Sequence, residues 1–321
     1  MRKTLLVMLT VLLICVFAGA SWAAKKEIHY GTWASDGEAA YEGMKEFKKV
    51  VEDATDIEVF LYPSNQLGNT EEQLEQVQMG TIQMMSSGQP PLNEIEYLSL
   101  PYLIKSQKNW NAILESPIGQ EWNKRCIEER SSRMLGLLAR GPRVISANKV
   151  INSIEDLKGL KIRSPERDYY VQTLQAFGSQ PTPMAYGEIY TSLQTGVVDG
   201  QENPVETIYS AGFYEVQKCI VMTNHIDKPA FVVINEDFYQ GLSEDERKAV
   251  NRAQSAAEKT AGELMLKQQD EFLKKMEAAG VVITYPDLAP FVAATENVRK
   301  SLGIKSWGEK NYELIQELGN K

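Results

Sequence analysis

Arg163 is the residue whose type and place could do the most chemistry. It ends the short apolar run Leu160-Lys161-Ile162-Arg163. A guanidinium offers five donors in a planar fork, meets a carboxylate or sulfonate through two parallel hydrogen bonds, and stays charged at any working pH. Glu166 and Asp168 lie close by in the chain and offer the plainer alternative, a surface ion pair of little consequence. Further on, Asn203 precedes Pro204 in Asp199-Gly200-Gln201-Glu202-Asn203-Pro204. A residue before proline is pushed out of helical geometry into extended or turn backbone. There its amide can present a donor and an acceptor to a ligand, or simply cap a turn.

Other chemistries lack their residues. His29 and His225 are the only histidines, and neither has a Cys or His neighbour at ligand spacing, so no metal site is expected. The chain holds no Gly-x-Ser-x-Gly, no Gly-rich phosphate loop, no Gly-x-Gly-x-x-Gly and no Cys–His pair in one local motif. The expectation is a binder without a cofactor rather than an enzyme. A formal charge of −9 excludes a basic nucleic-acid footprint. It also means that any anionic ligand must be captured by a local cationic pocket against the overall field.

Residues 1–23 read as a secretory signal. Arg2 and Lys3 give a basic start, Leu5 to Phe17 is apolar, and Ser21-Trp22-Ala23 supplies small residues for cleavage near Ala23. The apolar run is shorter than the roughly 20 residues a membrane span needs. Loss of Arg2 and Lys3 moves the formal charge from −9 to −11. Export in a bacterium with an outer membrane means the periplasm, where a disulfide is permitted. Cys126, on the amphipathic stretch Glu121–Arg130, and Cys219, in the apolar run Cys219–Met222, nevertheless read as two buried free thiols.

The elements that must position Arg163 and Asn203 alternate. Strand Glu27–Thr32, helix Gly37–Asp53, strand Ile57–Tyr62, helix Thr70–Met79 and strand Ile82–Met85 form one set. Strand Val144–Ala147, helix Ile154–Lys158, strand Lys161–Arg163 and helix Arg167–Ala176 form a second. Such alternation predicts parallel α/β construction. The 298 residues that follow position 23 in this chain of 321 exceed the size at which one core stops growing, which predicts two domains. A capping box (Ser243, Glu246) and the stop Gly280 bracket one helix whose only interior breaker is Gly262. At 1.5 Å per residue it reaches about 54 Å, beyond the roughly 30 Å of a small domain, so it must cross both.

Several runs carry a resemblance: Ala147 to Ile154, Gly159 to Arg163, Pro181 to Tyr190, Asp199 to Pro204 and Phe213 to His225. They are similar to the periplasmic solute-binding proteins of TRAP transporters, the DctP family. The resemblance implies an α/β, two-lobed periplasmic-binding-protein fold with a long helix spanning both lobes. It places lobe I at 24–140 plus 229–262 and lobe II at 141–228 plus 263–321. It implies that Arg163 anchors the ligand's acidic group, that Arg143 is a second arginine on the same acid, and that Asn203 adds a hydrogen bond. Arg140 is a nearby competitor for the role of Arg143. Tyr186 matches the family's aromatic wall, and Trp33 stands where members place a ligand-contacting side chain. Ser87 and Gln89 lie in a second specificity loop, where the otherwise similar sialic-acid branch has a Glu and this chain has Gly88. The implied ligand is a small organic-acid anion, a C4-dicarboxylate or similar carboxylate first, then a small sulfonate, then a sugar acid. The implied partners are the membrane permease subunits of a TRAP transporter, and the implied state is a monomer. A sensory receptor on the same fold is the alternative.

Overall fold

The computed structural model describes residues 25–321; the expected signal segment lies outside them. Two mixed sheets stand side by side. The first has five strands in the order β2-β1-β3-β10-β4, with β1 Glu27–Thr32, β2 Glu58–Tyr62, β3 Met84–Ser87, β4 Ser132–Leu138 and β10 Ala230–Asn235. The second has six, in the order β11-β9-β5-β8-β6-β7. Its strands are β5 Arg143–Ala147, β6 Lys161–Ser164, β7 Gln180–Pro183, β8 Gly200–Pro204, β9 Cys219–Ile226 and β11 Val282–Thr284. The chain therefore passes from sheet to sheet between β4 and β5, again between β9 and β10, and a third time between β10 and β11.

Parallel pairing holds for β1 with β2 and β3, for β6 with β7 and β8, and for β9 with β11. The returning strands break it. β10 is antiparallel to both β3 and β4, and β5 is antiparallel to both β8 and β9. A purely parallel reading misses this because each crossing delivers a strand to the neighbouring sheet from the opposite end, and local periodicity carries no record of direction. Ile154–Leu157 forms a single 3-10 turn instead of a helix, and β8 lies between β5 and β6. Gly200–Pro204 is a buried strand in the middle of a sheet, where proline is tolerated because it comes last.

Helix α1 (Ala39–Ala54) and the helix α2 (Glu244–Ala278) explain how the two sheets become one body. The side chain of Ser243 accepts the Glu246 N–H while Glu246 accepts from the Ser243 N–H, and Gly280 lies at φ +92°, where a Cβ would be strained. Gly262 does not interrupt the helix. The N-terminal half of α2 buries Val250, Ala253, Ala257 and Ala261 in the core of the first sheet, with Phe47, Met44 and Tyr30. Its C-terminal half buries Leu273 and Met276 in a core of the second, with Val144, Ile208 and Ile220. The two helices approach closely because Gly43 has no side chain: a Cβ there would lie 2.8 Å from the Ala257 carbonyl oxygen and 3.1 Å from Ala261 Cβ. The last two helices, Glu296–Trp307 and Glu309–Asn320, pack Leu302, Trp307, Tyr312 and Ile315 against Trp110, Ile113 and Trp122 on the first sheet's side. Cys126 and Cys219 are both buried and unpaired, and burial pushes the Cys126 thiol up to about 12.

Gly200 opens β8 for a packing reason. A Cβ on it would strike the Ser146 carbonyl oxygen of the adjacent strand. Gly200→Ala should lower unfolding free energy by about 1–3 kcal/mol, the usual cost of overpacking a tight core. Urea denaturation of the two proteins measures it, and an unchanged midpoint would show that β5 and β8 can separate freely.

Candidate functional site

β5, β8 and β6 are neighbours in the second sheet, and their register brings three polar side chains to one end of it. Arg143 opens β5 opposite Pro204, Asn203 pairs with Val144, and Arg163 is the third residue of β6, opposite Gln201 of β8. In parallel strands the carboxyl ends share an edge, which is where ligands of open α/β sheets bind. Here that edge forms one wall of a cleft of about 710 Å³. The opposite wall comes from the first sheet: Trp33 after β1, Gly88 and Gln89 after β3, and Glu38 before α1. Arg140 and Lys228, in the two short segments that connect the sheets beside the long helix, line it as well.

Four arginines line the cleft and differ in what they already hold; Arg167, at its rim, lies 3.6 Å from Glu96. Arg143 is committed. It is buried, its Nε donates to Glu202 Oε2, and its Nη2 donates to Glu202 Oε1 at 2.7 Å, to the Glu202 carbonyl at 2.8 Å and to Asn203 Oδ1 at 3.1 Å. Tyr170 covers the guanidinium at 4.9 Å. Burial works against the charge of Arg143, but Glu202 outweighs it and raises the pKa; by the same pairing Glu202, though burial opposes it, is held below the usual carboxylate range. Arg163 is 4% exposed, yet among the described residues its only acceptor is the Met184 carbonyl, at 3.1 Å from Nε and 2.8 Å from Nη2. Its pKa is lowered, first by burial, so its charge is under-compensated. Arg140 stacks on Trp33 with its guanidinium carbon 4.7 Å from the ring.

Asn203 is the first member of a buried relay. Its Nδ2 donates to Gln201 Oε1 at 2.6 Å, Gln201 Nε2 donates to Ser146 Oγ at 2.9 Å, and Ser146 Oγ donates to Gln217 Oε1 at 3.1 Å. The relay fixes the amide so that its oxygen faces Arg143. Behind the pair, His225 is fully buried, with Nδ1 2.8 Å from Thr223 Oγ1 and Nε2 3.4 Å from Glu202. Burial holds His225 below its ordinary pKa. The neighbouring Asn224 sits at φ +44°, and the β5–β9 register shifts beside it, which bends the strand leading to the β9–β10 crossing.

Of the residues expected from sequence, Arg163, Arg143, Asn203, Tyr186, Trp33 and Gln89 line this one cleft. Tyr186 stands at its lip, 54% exposed, with its ring 5.9 Å from that of Phe213. Ser87 does not line it. Its Oγ is turned into the loop, donating to the Gln89 carbonyl at 2.7 Å and accepting the Gln89 N–H at 3.1 Å. Sequence reasoning gave no role to Lys228, which is buried and donates to Glu96 at 3.1 Å and to the Tyr169 hydroxyl at 2.8 Å. Nor did it give one to Glu206, whose Oε1 accepts the Ala39 N–H at 3.0 Å, from the second sheet's side onto the first turn of α1. The signal for both is three-dimensional, since each acts on a residue distant in the chain.

Comparison with known proteins places these features in a group. The family model described as bacterial extracellular solute-binding protein, family 7 (DctP) matches residues 30–306. The sialic acid-binding periplasmic protein SiaP of Vibrio cholerae is 33% identical over 298 residues, covering 91% of this chain and 93% of its own. A TRAP periplasmic solute-binding protein of Roseobacter denitrificans, solved with bound L-galactonate, superposes with a TM-score of 0.77 at 31% identity, over 92% of this chain and 98% of its own. One from Ochrobactrum anthropi gives a TM-score of 0.84 at 26% identity, over 92% and 95%.

Two measurements probe the buried pair. Glu202→Ala leaves Arg143 without its counter-charge and should cost about 3–5 kcal/mol of stability by chemical denaturation; a loss under about 1 kcal/mol would mean that Arg143 is hydrated. His225 has the opposite linkage to a salt-bridged histidine. With its folded pKa lowered, the unfolded chain binds the extra proton, so its contribution is complete above about pH 6.5 and is lost as pH falls. His225→Gln should therefore flatten the loss of stability between about pH 7 and pH 5 relative to wild type. Parallel profiles would assign that loss to other groups.

Proposed function

The chain belongs to the DctP family of bacterial extracellular solute-binding proteins, and from that premise we propose that it captures a small organic-acid anion in the cleft between its sheets. The observation that carries this reading is Arg163. A guanidinium that is nearly buried, lacks a carboxylate partner among the described residues and stands at the carboxyl end of a strand is a place for a ligand's acid. Arg143 and Asn203 supply the adjoining polar wall, and their bonds to Glu202 and Gln201 hold them in place before the ligand arrives.

Delivery to the membrane permease of a TRAP transporter, from the periplasm, follows from the family. Capture works by closure of the two lobes. Groups from both sheets face the cleft, so a ligand that touches both has greater affinity for the shut form and shifts the population toward it. The leading ligand class is a C4-dicarboxylate or similar carboxylate. A sugar acid is the second reading, favoured by the acids that two relatives bind, sialic acid and L-galactonate. Gly88, where a Glu would serve a polyol, favours the smaller acid.

Thermal shift and calorimetry with a panel of carboxylates and sulfonates test the assignment. Arg163→Ala should abolish tight binding, a loss of at least about 100-fold given two charge-assisted bonds at about 1.5–3 kcal/mol each, while the melting temperature without ligand stays near wild type. Arg163→Lys should also bind weakly, because a point charge cannot reproduce the fork. An Arg163→Ala protein that binds within a few-fold of wild type sinks the assignment.

A further inference from the structure

The geometry points to Arg140 as the receptor for a second acidic group on the ligand, so that the cleft selects a diacid spanning Arg163 and Arg140. The inference rests on the proposed role of Arg163 and adds a residue and a charge requirement to it.

Arg140 lies in the crossing between β4 and β5, on the cleft wall. It is only partly exposed, and among the described residues its guanidinium donates no hydrogen bond and makes no ion pair; its one close contact is the face of Trp33. The ring holds the fork in place through cation–π attraction but leaves its in-plane donors unspent. Gly88 keeps the approach open. Even a methyl group at that position would lie 3.2 Å from Arg140 Nη1, so any larger side chain in this loop would crowd the donor or occupy it.

Charge accounting inside the cleft leads to the same place. Arg143 has Glu202, while Lys228 and Arg167, which also lines the cleft, share Glu96 at 3.1 and 3.6 Å. Arg163 and Arg140 remain without carboxylate contacts, and burial lowers the pKa of both, with the charge of Arg143 adding to the effect on Arg140. Glu38 and Glu206 are the acids nearest to Arg140 in influence, but neither reaches it, and Glu206 spends one oxygen on the Ala39 N–H. Burial raises the pKa of both carboxyls, Glu206 adding to the effect on Glu38, so they offset the arginine only from a distance. A monoacid satisfies one of the two open forks. A diacid satisfies both, one acid on a strand of the second sheet and the other on the segment that connects the sheets, which ties the second charge to the crossing.

The test uses matched pairs that differ by one charge: succinate with succinamate, and galactarate with galactonate. Calorimetry with the wild-type protein should favour the diacid of at least one pair by about ten-fold or more, the worth of one charge-assisted contact. Arg140→Gln should erase that preference while holding the monoacid within about three-fold, and Arg140→Lys should keep part of it. Arg163→Ala should lose both members. A wild type that binds each monoacid as tightly as its diacid overturns the inference while leaving the organic-acid reading intact. Arg140→Gln that retains the diacid preference also overturns it. If none of the four acids binds, the role of Arg163 fails first, and this inference falls with it. Because Arg140 makes no hydrogen bond or ion pair among the described residues and only stacks on Trp33, the variant should melt near wild type, and the affinities can be compared directly.

Discussion

The buried pair of Arg143 with Glu202 is the constraint on which the rest of the cleft depends. Two charges removed from water are tolerable only when each satisfies the other, and here three bonds from one guanidinium to Glu202, two to the carboxylate and one to the carbonyl, achieve this. The pair joins the first residue of β5 to the middle residue of β8 across the ladder and thereby braces the edge of the second sheet that faces the cleft. It also consumes the nearest carboxylate. Had Glu202 been free to reach Arg163, the protein would have answered its own arginine. Because Glu202 is saturated, Arg163 stays open.

Keeping such a site between two bodies requires that they be joined firmly enough to align and loosely enough to move. The long helix does the first. Its small residues, Ala253, Ala257 and Ala261, let α1 come close at Gly43, while Leu273 and Met276 anchor the other end in a separate core. The two crossings beside the helix do the second. They are short, they lie at the mouth of the cleft, and one is preceded by a strand bent at Asn224, whose left-handed backbone costs energy unless its surroundings impose it. His225 and Thr223 beside it are fully buried and bonded to each other, so the bend is held from the inside.

Much of this was legible in the sequence, for reasons that can be named. Helix Thr70–Met79 and the long helix carry caps, and a cap is a local signal that no tertiary contact can mimic. The place of Arg163 at a strand end was legible because it is local; its role as a ligand anchor came only with the resemblance. The antiparallel strands were not, because direction is decided by how the chain crosses between bodies. Gly200–Pro204 looked like a turn since Gly and Pro dominate turns, yet the glycine is there for close strand packing and the proline for the strand's end. Ser87 looked like a ligand donor since a hydroxyl near a strand end often is; its partner, the carbonyl two residues on, is a local alternative that the sequence could not weigh. Arg140 was hidden by Arg143. Only the position of Glu202 distinguishes the arginine that is occupied from the one that is not.

An acidic chain that captures anions is not a contradiction, and the reason lies in distance. At physiological ionic strength charges more than about 8 Å apart across solvent are largely screened, so the surplus of acids over the whole surface, formally −9, sets solubility more than affinity. Within the cleft the count is local. Arg143 and Lys228 are neutralised by Glu202 and Glu96, and Arg140 and Arg163 are not matched by contact. Glu38 and Glu206, the acids that act on Arg140 from beyond contact distance, have their pKa raised by burial. An anion entering the cleft therefore meets two guanidinium groups without carboxylate contacts at short range, where the surplus of acids elsewhere on the surface is screened.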